Sequence, residues 1–254
     1  MPREEWTREQ TIIAFNVYCK ILFKKSSKTN PFIVKYADII GRSPSALNMK
    51  VGNFGRLDPE LKKQGIVGLA HGAKLEEEIW EEFNNNWENL AYESELLIAK
   101  FQNKKIEDIF DIETEIFPLG LNRIATVKQR VNQSFFRSTI LSAYNLKCCI
   151  TGLSITDFLV SSHIVPWSVD DKNRLNPRNG LCLNTLHDKA FDKGYITITP
   201  DYKVKVSKFF EEYSGEKAIA DLFAKYENKL ISLPDKFLPS KEFLDHHYIN
   251  IFKK

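Results

Sequence analysis

The sequence is more restrictive in what it lacks than in its bulk composition. Its 254 residues contain no apolar run of bilayer-spanning length, which predicts no transmembrane helix. The first residues, MPREEWTREQ, are charged and lack the apolar core of a signal peptide, so a cytoplasmic protein is expected. There are only four cysteines, two of them adjacent (Cys148, Cys149), which reads as reduced thiols and not as a disulfide framework. The formal net charge is only +3, which permits nucleic-acid binding without arguing for it. No internal repeat and no low-complexity stretch stands out. What is present is an ordinary globular content, 43% hydrophobic and 12% aromatic, enough for one large domain or two modest ones.

Residues 1–101 read as an all-α domain. Thr7 with Gln10 forms a capping box, and Ile13, Val17 and Ile21 follow at helical spacing. Asn30-Pro31 and Ser43-Pro44 each pair a cap with a first-turn proline. The two short helices they start meet at Gly41-Arg42, with the spacing of a helix-turn-helix. The second would expose Ser45, Asn48, Lys50 and Asn53, which suit a DNA groove; Ser45, Asn48 and Asn53 are the candidate contacts. Helix pairs with a glycine turn are also common in any helical bundle, so either reading stands. His71, in the glycine-rich GIVGLAHGAK, has no ligand-type neighbour and reads as a loop histidine. Leu75, Ile79, Phe83 and Trp87 form a helix stripe, with Trp80 and Trp87 expected in the core. Residues 102–126 hold no sustained period and are broken by Pro118 and Gly120, marking a connector. Residues 127–254 form the second domain, entered by a helix with Val127, Val131 and Phe135 inward.

Most of the chemistry lies in residues 148–199. A short apolar strand runs into His163 and turns out through Pro166-Trp167. A polar loop follows with Arg174 and Arg178, both candidate phosphate contacts. Asn179-Gly180 is a turn, Leu181-Cys182-Leu183 a second strand, and His187 opens a helix. A hairpin around Pro200-Asp201 comes next. One further helix is expected after it and a last one from Ser240. The fold class is therefore α+β.

The segments CCITG, SSHIVPW and NPRNGLCLNTLHDKAFD resemble the HNH endonucleases, whose ββα-metal motif is named for His-Asn-His. The likeness is to a restriction-endonuclease-like branch and is strong over about 127 to 208. It implies a metal-dependent DNA endonuclease with His163 as general base, Asn179 orienting it, and His187 binding the metal. Where many relatives carry Asp or His before the first histidine, this chain has Ser162, a poor ligand for a hard cation. Where some carry a second helix histidine, it has Phe191. Asp192 is then the nearest carboxylate with a place in the motif. The resemblance further implies Mg²⁺, Mn²⁺ or another divalent cation, double-stranded DNA as partner, and a homodimer. Many relatives brace the motif with four zinc-binding cysteines. Here those places read Cys148, Thr151, Leu183 and Leu186, so no structural zinc is expected and Cys148, Leu183 and Leu186 should pack as an apolar cluster. Two alternatives stay open: an inactive HNH-fold DNA-binding protein, and a defence effector nuclease triggered by a partner or ligand.

Overall fold

The computed structural model describes residues 5–63, 65, 73–110 and 121–254, without the side chains of 121–123. The expectations for His71, Pro118 and Gly120 lie outside the described residues. The chain divides into two compact units, Met1–Thr139 and Ile140–Lys254.

The first unit is helical. It begins with α1 (Arg8–Lys20), whose capping box is formed: Gln10 N–H donates to Thr7 Oγ1 and Thr7 N–H to Gln10 Oε1, both at 3.2 Å. A cap of this kind stabilises a helix by about 1 kcal/mol. Next come α2 (Pro31–Ile39) and α3 (Pro44–Leu57), each capped by the predicted residue and each with proline in its first turn. Gly41 joins them at φ +67°, a left-handed conformation that costs glycine nothing. After α4 (Pro59–Lys63) follow α5 (Lys74–Phe83), α6 (Trp87–Phe101) and α7 (Ile106–Ile109). Helix α1 is the hub and packs on α3, α5 and α6. Its Phe15 stacks on Phe54 at 4.7 Å, and Trp80 and Trp87 close the aromatic core around it. Both tryptophans are buried, as their place in the stripe predicts.

The face of α3 differs from expectation. Lys50 and Asn53 point inward, not to solvent. Lys50 pairs with the buried Glu76 at 2.7 Å and Asn53 donates to the same carboxylate at 2.9 Å. A glutamate with no exposed surface must be paired and hydrogen-bonded, and these two residues do it. Ser45 remains exposed, and half-buried Asn48 accepts from Ser26 Oγ.

The division between the units falls inside α8 (Leu121–Ala143), whose Val127, Val131 and Phe135 are buried. In the second unit β1 (Leu159–His163) pairs antiparallel with β2 (Gly180–Asn184), setting His163 opposite Gly180. Helix α9 (Thr185–Asp192) follows directly and packs on both strands. The predicted hairpin is β3 (Ile196–Ile198) with β4 (Val204–Val206). The single helix expected next is instead broken into a 3-10 segment Lys208–Tyr213, α10 (Lys217–Leu222) and a second 3-10 turn, Ala224–Tyr226. Ser214 and Gly215 interrupt it, and little of its length is buried, so no packed face holds it straight. The last helix, α11 (Lys241–Asn250), packs on β3. Its tail lies on the turn after α9: Lys253 N–H donates to Gly194 O at 2.9 Å. A Cβ on Gly194 would meet Ile251 O at 2.1 Å, so only glycine fits beneath that tail.

Candidate active site

His163 ends β1, and the loop beyond it is held by Asn179. The Asn179 amide is fully buried and spent on that loop. Its Oδ1 accepts from Val165 N–H at 2.8 Å. Its Nδ2 donates to Val165 O at 3.1 Å and to Asn173 O at 3.2 Å. Asn179 therefore fixes the backbone just after His163 from both sides and touches no part of the ring in these bonds.

Two neighbours meet at His163 Nε2. The Arg174 carbonyl lies at 2.8 Å and the Trp167 indole nitrogen at 2.7 Å. They ask for opposite tautomers, because the carbonyl needs an N–H and the indole N–H needs a lone pair. With the proton on Nε2, Nδ1 holds the lone pair. Burial pushes the His163 pKa below its ordinary value, while the bond to Arg174 opposes that fall. The ring is thus kept neutral around pH 7, the state a base requires. The Arg174 guanidinium is exposed and sits over the Trp167 ring at 5.9 Å; Arg178 is half-buried.

A cavity of about 320 Å³ opens beside His163 and is lined also by Pro166, Lys189, Asp192, Lys193 and His247. Asp192 and His163 are thus brought to one cavity. Asp188 stands one helical turn before Asp192, so the two carboxylates share a face of α9. Both pKa values are raised, by burial first, and that of Asp192 further by the Asp188 charge. Ser162 beside His163 is 2% exposed, and its hydroxyl makes no hydrogen bond of full geometry. It approaches the Asp188 carboxyl closely enough to counter part of that rise. The two carboxylates are the hard oxygen donors that a divalent cation takes. Among the described residues, no three His, Cys, Asp or Glu side chains are grouped to hold a metal ion. Asp188 escaped the sequence reading, although its spacing of four from Asp192 was the available signal.

His187 is placed elsewhere. It is 2% exposed and both ring nitrogens are engaged. Nε2–H donates to Leu222 O at 2.7 Å, and Nδ1 accepts from Asn184 Nδ2 at 2.9 Å. Ligation by His187 would break one of these bonds. The ring instead completes a polar cluster with Cys148, Thr151 and Asn184. Asn184 Nδ2 lies 3.4 Å from Thr151 Oγ1 and 3.7 Å from Cys148 Sγ. Burial pushes the Cys148 thiol up, but its polar contacts with the His187 ring, Thr151 and backbone N–H groups outweigh it and bring it down to about 7. The bracing group is therefore polar and not apolar. Leu183 is buried as expected, but Leu186 is 44% exposed. The reason is the helix start: Asn184, not His187, caps α9, accepting from His187 N–H at 2.9 Å, which turns residue 187 inward and 186 outward.

His247, for which the sequence of the last helix favours a packing or surface role over metal binding, is packed. It lies under α9, stacked on Phe191 at 3.7 Å, and Nε2–H donates to Phe191 O at 3.1 Å. Its Nδ1 accepts from the Thr197 hydroxyl at 2.8 Å. Burial lowers its pKa to about 4, so it is a neutral brace at pH 7.

Among curated proteins, comparison returns no match to this chain. Residues 148–199 match a family model described as HNH endonuclease, and that span takes in β1, β2, α9 and β3. The ββα unit that carries His163, Asn179 and His187 lies within that match.

Proposed function

We propose that the chain is a metal-dependent DNA endonuclease that hydrolyses phosphodiester bonds, with His163 activating water. The observation that carries this reading is the meeting of His163 and Asp192 at one cavity, with His163 Nε2 held by the Arg174 carbonyl. The neutral imidazole takes the proton from water as the water attacks phosphorus. Asn179 keeps the carbonyl-bearing loop in register. Lys189 and Lys193 at the cavity wall suit the phosphate charge. Arg174 and Arg178 remain candidates for the same task.

Asp192 and Asp188 are the side chains that would hold a divalent cation, Mg²⁺ or Mn²⁺. His187 could join them only by giving up a hydrogen bond. The chemistry such a cation supplies is charge stabilisation at the phosphate and on the leaving oxygen. The wider reading is a restriction-type enzyme of the cytoplasm acting on double-stranded DNA, with residues 1–101 delivering the substrate. Since each chain offers one such cavity, a double-strand cut calls for two copies, hence a homodimer. Among the described residues no helix is long and apolar enough to cross a membrane.

Ser162 favours a second reading, an HNH fold that binds DNA without cutting it, because its hydroxyl stands where many relatives carry a ligand. A supercoiled-plasmid assay with Mg²⁺ or Mn²⁺ separates the two. Wild type should nick the plasmid and His163→Ala should not. Equal cleavage by both sinks the role of His163, and cleavage by neither supports the inactive reading.

A further inference from the structure

The charge of this chain is unevenly placed. Residues 20–57 contain eight Lys or Arg and one acid, Asp38, a formal charge of +7 where the whole chain carries +3. Three of those cations are spent internally: Lys20 on Glu95, Lys50 on Glu76 and Arg56 on Glu77. Lys25, Lys28 and Lys35 instead have exposed side chains. They lie along one edge, in the short loop before α2 and on α2 itself.

That edge is anchored, so its charges have defined positions. Phe23 seats its ring where a Cβ on Gly55 would come within 2.5 Å, a niche that α3 opens only by having glycine there. Tyr18 closes the other side, with ring centroids 5.7 Å apart. Ser26 Oγ donates to Asn48 Oδ1 at 2.6 Å and ties the loop to α3. Asn30 caps α2 and donates to Lys25 O at 3.0 Å, which ties it to α2. The exposed neighbours on α3 are Ser45 and Met49, not aromatic rings.

We propose that this lysine edge, and not the outer face of α3, is where the chain docks on the phosphate backbone of duplex DNA. The inference rests on the reading of the chain as a DNA nuclease and names the surface that holds the substrate. Lysines are point charges that neutralise phosphates without reading bases. Among the described residues no aromatic ring on α2 or α3 is exposed, which disfavours single strands, since those need stacking platforms. With Lys50 and Asn53 turned inward, α3 has lost half of the side chains that could read a groove. The contact is therefore sequence-independent and strongly salt-dependent.

The test is fluorescence anisotropy of a labelled DNA duplex with the full chain, without divalent cation, across about 50–200 mM salt. The variant is Lys25→Ala/Lys28→Ala/Lys35→Ala, with the triple Lys→Arg variant as charge-keeping control. The alanine variant should bind on the order of tenfold or more weakly at low salt. Its log K against log salt should become shallower by up to about 0.9 for each contact removed. The arginine variant should bind as wild type does. If the alanine variant melts lower than wild type, the triple Lys→Gln variant carries the same comparison. Unchanged affinity and slope in a folded variant overturn the proposal. So does tighter lysine-dependent binding of duplex RNA or an acidic polypeptide. Because no cleavage occurs here, failure of the nuclease reading shows only in the plasmid assay, and failure of the lysine edge only in this one.

Discussion

Acid should loosen α9 through His247, and the size of the effect follows from its burial. In the folded chain its pKa lies at about 4, against an ordinary value of 6.5. Between those values the unfolded chain takes up a proton that the folded chain refuses. Stability from this group is therefore complete above about pH 6.5 and falls as pH drops toward 4, by about 1.4 kcal/mol per pH step. From about pH 7 to about pH 5 the loss is on the order of 2 kcal/mol. Protonation would put a proton on Nδ1, where the ring now accepts from Thr197, and a charge against Phe191. The raised values of Asp188 and Asp192 act in the opposite sense, since their charged forms are disfavoured in the fold. His163, also lowered by burial, acts in the same sense as His247, so the comparison of wild type with a His247 variant isolates this group. The assay is urea unfolding at the two pH values, followed by hydrogen exchange of peptides from 185–198 so that this region is read by itself. His247→Gln, which keeps hydrogen-bonding groups but cannot titrate, should lose this group's share of the pH dependence. Parallel behaviour of wild type and variant between about pH 7 and pH 5 would refute the argument.

Trp167→Phe removes the indole donor from His163 Nε2 and leaves the Arg174 carbonyl as the partner that favours a proton there. One hydrogen bond of about 1 kcal/mol should move the acidic limb of the cleavage profile up by roughly 0.7 pH. A fallen plateau with an unmoved limb would show that the indole merely orients the ring. Asp188→Asn and Asp192→Asn should each weaken Mn²⁺ binding by roughly 10–100-fold or more, since a direct ligand matters no less than an outer partner. The readout is the rise in melting temperature on adding Mn²⁺, present in wild type and lost in both variants. Chelation of the cation should abolish cleavage, and added Mg²⁺ or Mn²⁺ should restore it; a variant that keeps both responses removes that residue from the cation site.

Local order was legible because its signals are short-range. Thr7, Asn30 and Ser43 cap their helices by bonds spanning three residues or fewer. The strand–loop–strand–helix order around His163 followed from the Asn-Gly turn and the apolar runs beside it. The inward faces failed wherever one residue of phase decided them. Capping α9 at Asn184 turned residue 187 inward, where both ring nitrogens of His187 are hydrogen-bonded, and residue 186 outward. Lys50 and Asn53 look like surface residues in any window of sequence; Glu76, on another helix, draws them inside.

Residue types, helix starts and the HNH pattern were written in the sequence, because capping and periodicity act over a few residues. The pairing of charges, the sharing of a cavity by His163 and Asp192, and the bracing of α9 by His247 were decided only when distant segments packed. Those contacts join residues 26 to 56 positions apart. Desolvation and buried hydrogen bonds set their energy, and neither exists until the chain has closed around them.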